Sequence, residues 1–119
     1  MGSFTGVFNG EWREVSLGFP EYLTVASGVL TIPAGSNSHI NVNGEGDATD
    51  QLDTITKADV QTGDFLLLRS VGSQTLTVDD ANINLGANTR AIAPGGCIGL
   101  YYDGTEWTEM FYTAEGNNA

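Results

Sequence analysis

Apolar residues along this chain recur with period two, interrupted at short intervals by Gly, Asn, Asp and Pro. Thr75-Leu76-Thr77-Val78 sets Leu76 and Val78 on one side and two threonines on the other. Leu30 and Ile32 alternate with Val29 and Thr31, and Ile40 and Val42 with Asn41 and Asn43. Alternation of this kind predicts half-buried antiparallel strands with one wet face. Phe65-Leu66-Leu67-Leu68 does not alternate and predicts a central strand covered on both sides. Turn signals recur at the roughly 8–12-residue spacing of sandwiches and barrels, among them Pro33-Ala34-Gly35, Asn43-Gly44, Val71-Gly72-Ser73 and Pro94-Gly95-Gly96. A single helical turn is expected around Thr56 to Val60, and no 3.6-residue stripe runs through the chain. The pattern predicts an all-β fold: an antiparallel β-sandwich or small barrel, jelly-roll-like, of about 9–11 short strands.

One segment has an echo. Phe8-Asn9-Gly10-Glu11-Trp12-Arg13-Glu14-Val15 and Tyr102-Asp103-Gly104-Thr105-Glu106-Trp107-Thr108-Glu109-Met110 both read aromatic, Asx-Gly, Trp, one residue, Glu, apolar. Asx-Gly between strand residues predicts a type I′ hairpin, whose two central positions need positive φ. The Trp that follows is expected to face inward and anchor the returning strand. The copies lie too far apart for the roughly 20–50-residue period of a solenoid.

Composition narrows the function. The 119 residues predict one domain, residues 18–114, preceded by a hairpin and attachment segment, 1–17, and followed by a flexible tail, 115–119. Fifteen acidic residues against four basic ones give a net charge of −11. Arg13, Lys57, Arg69 and Arg90 are scattered, so neither nucleic-acid phosphates nor an anionic membrane is an expected partner. Cys97 is the only cysteine, which excludes a disulfide framework and a cysteine-based zinc site. The longest apolar run is four residues, far short of a membrane-spanning helix, and no signal peptide is visible, so synthesis in the host cytoplasm is expected.

Candidate chemistry is sparse. Nucleophilic hydrolysis needs a base beside the nucleophile, and the only histidine, His39, stands in no such motif. A hydrogen-bonded structural place is expected for His39 and a small buried one for Cys97. Fifteen acids supply many carboxylate pairs, none singled out by spacing for glycoside hydrolysis, and no enzymatic activity is expected. Asp47, Asp50 and Asp53 lie in the turn-rich stretch Gly44 to Asp53 and are weak calcium candidates. Their spacing is not that of an EF-hand, so neither a metal nor any other cofactor is expected. Tyr101, Tyr102, Trp107, Phe111 and Tyr112 crowd one hairpin: a carbohydrate site would use such rings as platforms, and a plain core would use Trp107 and its alternate neighbours as filling. Trp107 and Phe111 on one face, with Met110 and Tyr112 on the other, leave a surface that another subunit would cover.

These residues resemble a β-rich module of tailed-bacteriophage virion proteins, common in the C-terminal parts of tail and fibre proteins. The likeness spans about residues 30–112 and rests on Ala48-Thr49-Asp50-Gln51-Leu52-Asp53-Thr54-Ile55, Gly63-Asp64-Phe65-Leu66-Leu67-Leu68-Arg69, Ala81-Asn82-Ile83-Asn84-Leu85-Gly86 and the closing Tyr101-Tyr102-Asp103-Gly104-Thr105-Glu106-Trp107. The resemblance implies a virion structural or attachment role, trimeric and not enzymatic. Because the module here follows only one extra hairpin, with no stalk or coiled coil, the expected function is a trimeric capsid decoration (cement) protein on the outer surface of the head. Its expected partners are the major capsid protein and copies of itself. The alternative is a receptor-binding or carbohydrate-binding module of a tail or head fibre, with a host glycan as partner. Expected interaction residues are Phe4, Phe8 and Trp12 of the N-terminal hairpin and Tyr102, Trp107 and Phe111 of the closing one.

Overall fold

A computed structural model describes residues 7–8, 11–12, 18–46, 49–79 and 81–115. Among them are thirteen strands and no helix. Val7–Phe8 (β1) and Glu11–Trp12 (β2) pair antiparallel, separated by the two residues Asn9-Gly10. The domain then runs through Glu21–Thr24 (β3), Val29–Ile32 (β4), His39–Asn43 (β5), Thr49–Leu52 (β6), Thr54–Lys57 (β7), Phe65–Ser70 (β8), Thr75–Val78 (β9), Ile83–Asn84 (β10), Arg90–Ile92 (β11), Cys97–Tyr102 (β12) and Trp107–Thr113 (β13).

The largest sheet has the order β10-β13-β12-β8-β5-β3, and two smaller ones are β11-β9-β6 and β4-β7. The expectation of an antiparallel jelly roll is corrected here. β3–β5, β5–β8, β4–β7, β6–β9 and β10–β13 are all parallel pairs. The chain leaves the large sheet, crosses the smaller ones and returns one ladder step further on, so partners lie 19 to 28 residues apart along the longer parallel ladders. The result is an all-β sandwich stacked like a short solenoid and closed by the antiparallel pairs β8–β12 and β12–β13. Parallel strands usually need helical crossovers, but here strands of the other layer serve. Period-two alternation is the same for both arrangements, which is why it did not distinguish them.

The inward residues carry the core. Ile40, Leu66, Leu68, Ile98, Leu100 and Trp107 of the large sheet are buried, with Leu30, Ile32, Leu52, Ile55, Leu76, Val78 and Ile92 of the smaller sheets in the same cluster. Alternation in β4, β5 and β9 predicted the inward members correctly. β8 is central, as expected, but Leu66 and Leu68 point inward while Phe65 and Leu67 are only partly covered. Asn41, expected on a wet face, is buried between its register neighbours Tyr22 and Arg69, and its Oδ1 has no hydrogen-bond donor. The stretch Thr56 to Val60 is the end of β7 and a turn rather than helical.

Asn82 extends an inner ladder without being a strand residue. Its Oδ1 accepts from the Ile55 N–H at 2.9 Å, and its Nδ2 donates to the Ile55 carbonyl at 2.7 Å. Its own carbonyl accepts from the Trp107 N–H at 2.9 Å. One side-chain amide thus satisfies both backbone groups of a residue on β7 and ties that strand to the closing hairpin.

The turns also differ from expectation. Asp103-Gly104 belongs to a four-residue loop in which only Gly104 has positive φ (102°). Asp103 fastens that loop by accepting from the N–H groups of Thr105 and Glu106, both at 2.9 Å, and from Thr108 Oγ1 at 3.1 Å. Among the described residues, the two-residue turn with both φ values positive is Ser27-Gly28 (50° and 80°), where Ala26 and Val29 exchange both backbone hydrogen bonds.

Candidate functional site

Among the surface features of the described residues are the outer face of the large sheet and a cleft beside one end of it. Register fixes the outer face. Tyr22, Asn41, Arg69, Cys97 and Thr113 form one row across β3, β5, β8, β12 and β13. His39, Leu67, Gly99 and Phe111 form the next, and Phe65, Tyr101 and Thr108 a third. Tyr22 is 69% exposed, Phe111 46% and Tyr101 38%. The face therefore sets aromatic and apolar residues among Asn41, His39 and two threonines, with Arg69 as its formal charge.

A β-bulge places Phe111 there. Gly99 pairs with Phe111 but Leu100 pairs with Glu109, so Met110 is an extra residue. Past the bulge the alternation inverts, and Phe111 faces outward while Tyr112 turns in. Phe111 and Trp107 were expected on one face, and the bulge overturns that pairing. Gly99 lies under the Phe111 ring, where a Cβ would clash. Tyr112 instead donates to the Ala91 carbonyl and lies beneath the Arg90 guanidinium, 4.7 Å from the ring centre. Arg90 Nε reaches both Glu109 carboxylate oxygens, at 3.2 and 3.1 Å, and the Gly86 N–H donates to the same carboxylate at 2.6 Å. That cluster joins β11 to β13.

The cleft, of about 310 Å³, lies where crossovers from the smaller sheets re-enter the large one. Lys57 ends the β4–β7 ladder opposite Ile32. Its ammonium sits 2.7 Å from Asp59 Oδ1 and 3.4 Å from Asp64 Oδ2. The Gly35 N–H donates to Asp59 at 3.0 Å, drawing the Pro33–Ser36 turn to the cleft, and Ser36, Ser38, Gln61 and Phe65 complete the lining. Burial pulls the Lys57 pKa down, but its hydrogen bond to Asp59 and the charges of Asp64 and Asp59 outweigh this and raise it overall. The Lys57 hydrogen bond, then that from Gly35, holds Asp59 below its ordinary value. Lys57 is thus a fixed cation flanked by two carboxylates, giving the cleft a net charge of about −1 with both partners ionised.

The expected site residues divide accordingly. Trp107 is 1% exposed and packs against Tyr102 with ring centres 5.2 Å apart, so it anchors the hairpin as expected and offers no platform. Tyr102 is partly buried against the core. Phe111 alone of the closing three is an exposed ring. Phe8 and Trp12 are strand residues of the β1–β2 hairpin. Phe4, Asp47 and most of the proposed attachment segment lie outside the described residues.

Asp50 Oδ2 accepts from the Glu45 N–H, and its Oδ1 accepts from the Gln51 N–H at 2.9 Å, so this carboxylate organises its own turn. Asp53 keeps a buried Oδ1 without a donor, and its Oδ2 packs against Gly28. Among the described residues no group of three or more His, Cys, Asp or Glu is arranged to hold a metal ion. Cys97 is half-buried on the outer face rather than in the core.

A protein-family model, the phage depolymerase C-terminal beta sandwich domain, matches residues 23–108. The chain belongs to that family. Membership bears out the phage-module resemblance and agrees with the two-layered all-β architecture. It makes the chain a phage virion-associated structural module of the tail or fibre kind. No curated protein matches the chain. The Lys57 cleft escaped sequence reading because turns around positions 35, 59 and 64 build it. The available signal was the chain's single lysine, two residues before an aspartate.

Proposed function

We propose that this chain is a non-catalytic module of a phage tail or fibre protein and holds a neutral sugar of the host surface in the Lys57 cleft. The observation that carries this reading is the cleft's combination of one ring, Phe65, with hydroxyl, amide, ammonium and carboxylate groups from Ser36, Ser38, Gln61, Lys57, Asp59 and Asp64. Sugar hydroxyls both donate and accept, and such a lining meets both needs while the ring covers an apolar sugar face. A cleft of net charge about −1 disfavours acidic sugars.

Turnover is not part of the proposal. A glycosidase needs a carboxylic acid that keeps its proton near neutral pH, and Lys57 drives Asp59 the opposite way. The capsid-decoration expectation has no observation in its favour, whereas the family's description favours the fibre alternative. Attachment through Ser3 to Leu17 stays as part of the proposal.

The whole chain should be screened on an array of host-surface saccharides beside Phe65→Ala and Lys57→Met. Retention of a neutral saccharide by the wild type and loss of roughly tenfold or more in each variant, with circular dichroism unchanged, is the expected result. Variants that bind like the wild type, or an array that retains nothing, would remove the assignment.

A further inference from the structure

Asn37-Ser38, Asn43-Gly44 and Asp103-Gly104 each set a small residue after an Asx side chain. A small residue leaves its backbone nitrogen room to reach the preceding Asx Cγ. The fold protects two of the three. Asn37 donates from Nδ2 to the Phe19 carbonyl at 2.9 Å, and its N–H donates to Glu21 at 2.7 Å. The Asp103 carboxylate is occupied by the Glu106 and Thr105 N–H groups and by Thr108, which keep it ionised and so resistant to attack. Asn43-Gly44 is left open. Asn43 is the last residue of β5, and Gly44 begins the bend that follows. Among the described residues, neither the Asn43 side-chain amide nor the Gly44 N–H takes part in a hydrogen bond. Both residues are half-buried, and Glu45 and Gly46 beyond them are exposed, so water reaches this peptide.

We infer that Asn43 is a site of spontaneous covalent modification, and that its conversion loosens the β3 edge of the large sheet. The Gly44 nitrogen gives its proton to solvent and bonds to Asn43 Cγ, while the Cγ–Nδ2 bond breaks and ammonia leaves with a proton. Water then opens the cyclic imide, so the chain gains one water, loses one ammonia and keeps its oxidation state. Cleavage of the bond to Cγ gives aspartate. Cleavage of the bond to the main-chain carbonyl carbon gives isoaspartate, in which the main chain runs through Cβ and Cγ and is longer by a methylene. The change falls on a joint of the sheet. Asn43 pairs with Thr24 in the parallel β3–β5 ladder, and its carbonyl accepts from the Val25 N–H at 2.9 Å. In isoaspartate that carbonyl becomes a pendant carboxylate. A carbon added at Gly44 would meet Asp50 and Gln74 side-chain atoms at 3.0 to 3.3 Å, so the longer main chain displaces one of them. Either product adds a negative charge near Asp50, in a chain already at −11.

The test is prolonged incubation of the full chain at mildly alkaline pH, folded and in denaturant, followed by tryptic peptide mapping. Asn43→Gln, whose longer side chain closes its ring slowly, is aged beside it. Cleavage at Arg13 and Lys57 separates Asn43 from Asn9-Gly10, which shares its dipeptide. In the folded chain Asn43 is expected to convert, mainly to isoaspartate, and its lead in rate over Asn37 and Asp103 should be larger folded than denatured. The converted protein should melt roughly 4–8 °C lower by circular dichroism, the shift for loss of one backbone hydrogen bond, and aged Asn43→Gln should show no such shift. An Asn43 that stays intact, a lead no larger in the folded chain, or equal melting of aged and fresh wild type would overturn the inference.

Discussion

Both faces of the six-stranded sheet carry large apolar side chains, and they differ in what lies opposite them. Inside, Ile40, Leu68, Ile98 and Leu100 meet the two smaller sheets and are buried. Outside, Leu67, Phe65, Tyr101 and Phe111 continue the same strands without a facing layer among the described residues. Leu66, Leu67 and Leu68 are consecutive, yet the middle one is on the other surface. An apolar run therefore states that both faces of a strand are apolar. Whether both are covered depends on layers elsewhere in the chain or in another molecule.

The comparison breaks most visibly at two rings of β13. Trp107→Ala should destabilise the domain by about 3–5 kcal/mol, because a buried indole leaves a cavity next to Tyr102. Phe111→Ser, four residues on, should cost the isolated chain about 1 kcal/mol or less, since the ring is half-exposed and its removal opens no internal void. Denaturant melts of dilute protein measure both. Equal losses would mean that the bulge at Met110 does not separate the faces.

Asn82 sharpens the inner side of the comparison. Asn82→Ala leaves the Ile55 N–H and carbonyl without their partners and should cost about 1–3 kcal/mol. Asn82→Asp should be worse, because it keeps the acceptor for the N–H but sets a carboxylate oxygen against the Ile55 carbonyl. Chemical denaturation ranks the two. Variants as stable as the wild type would show that the amide does not hold β7 to the closing hairpin.

What the sequence made legible follows from how local each feature is. Alternation in β4, β5 and β9 and the inward Trp107 depend on neighbours within a few residues, and they were readable. The parallel stacking depends on pairing across 19 to 28 residues with no fixed repeat, so unequal crossovers erase the periodic signature that marks a regular solenoid. Phe111 was misplaced because one inserted residue reverses every later position of a strand. Arg69 was visible as the end of the Phe65–Arg69 run, but its place between Asn41 and Cys97 on the outer face depends on strand register. The positive-φ pair among the described residues, Ser27-Gly28, was overshadowed by stronger Asx-Gly signals.

The smallest expected effect concerns the loop that decides which face each residue of the closing hairpin joins. Asp103 holds the β12–β13 connection with one carboxylate, and that register sends Tyr102 and Trp107 inward and Tyr101 and Thr108 outward. Hydrogen bonds from the Glu106 and Thr105 N–H groups, with a smaller one from Thr108, put its pKa below the ordinary 3.8. A depressed folded-state value means that the ionised carboxylate favours the folded chain. Its contribution is complete above the unfolded pKa near 3.8 and disappears as pH falls through the lower folded value. Asp103→Asn retains an acceptor oxygen but has no proton to gain, so its stability should lack this acid-dependent component. The wild-type-minus-variant difference in melting temperature should be constant at neutral pH and fall only below about pH 4. The residue is exposed, so the change will be small, and subtracting the variant removes the contributions of the other acids. A difference that stays flat into the acid range would mean that the loop's backbone, rather than its carboxylate, sets the hairpin register.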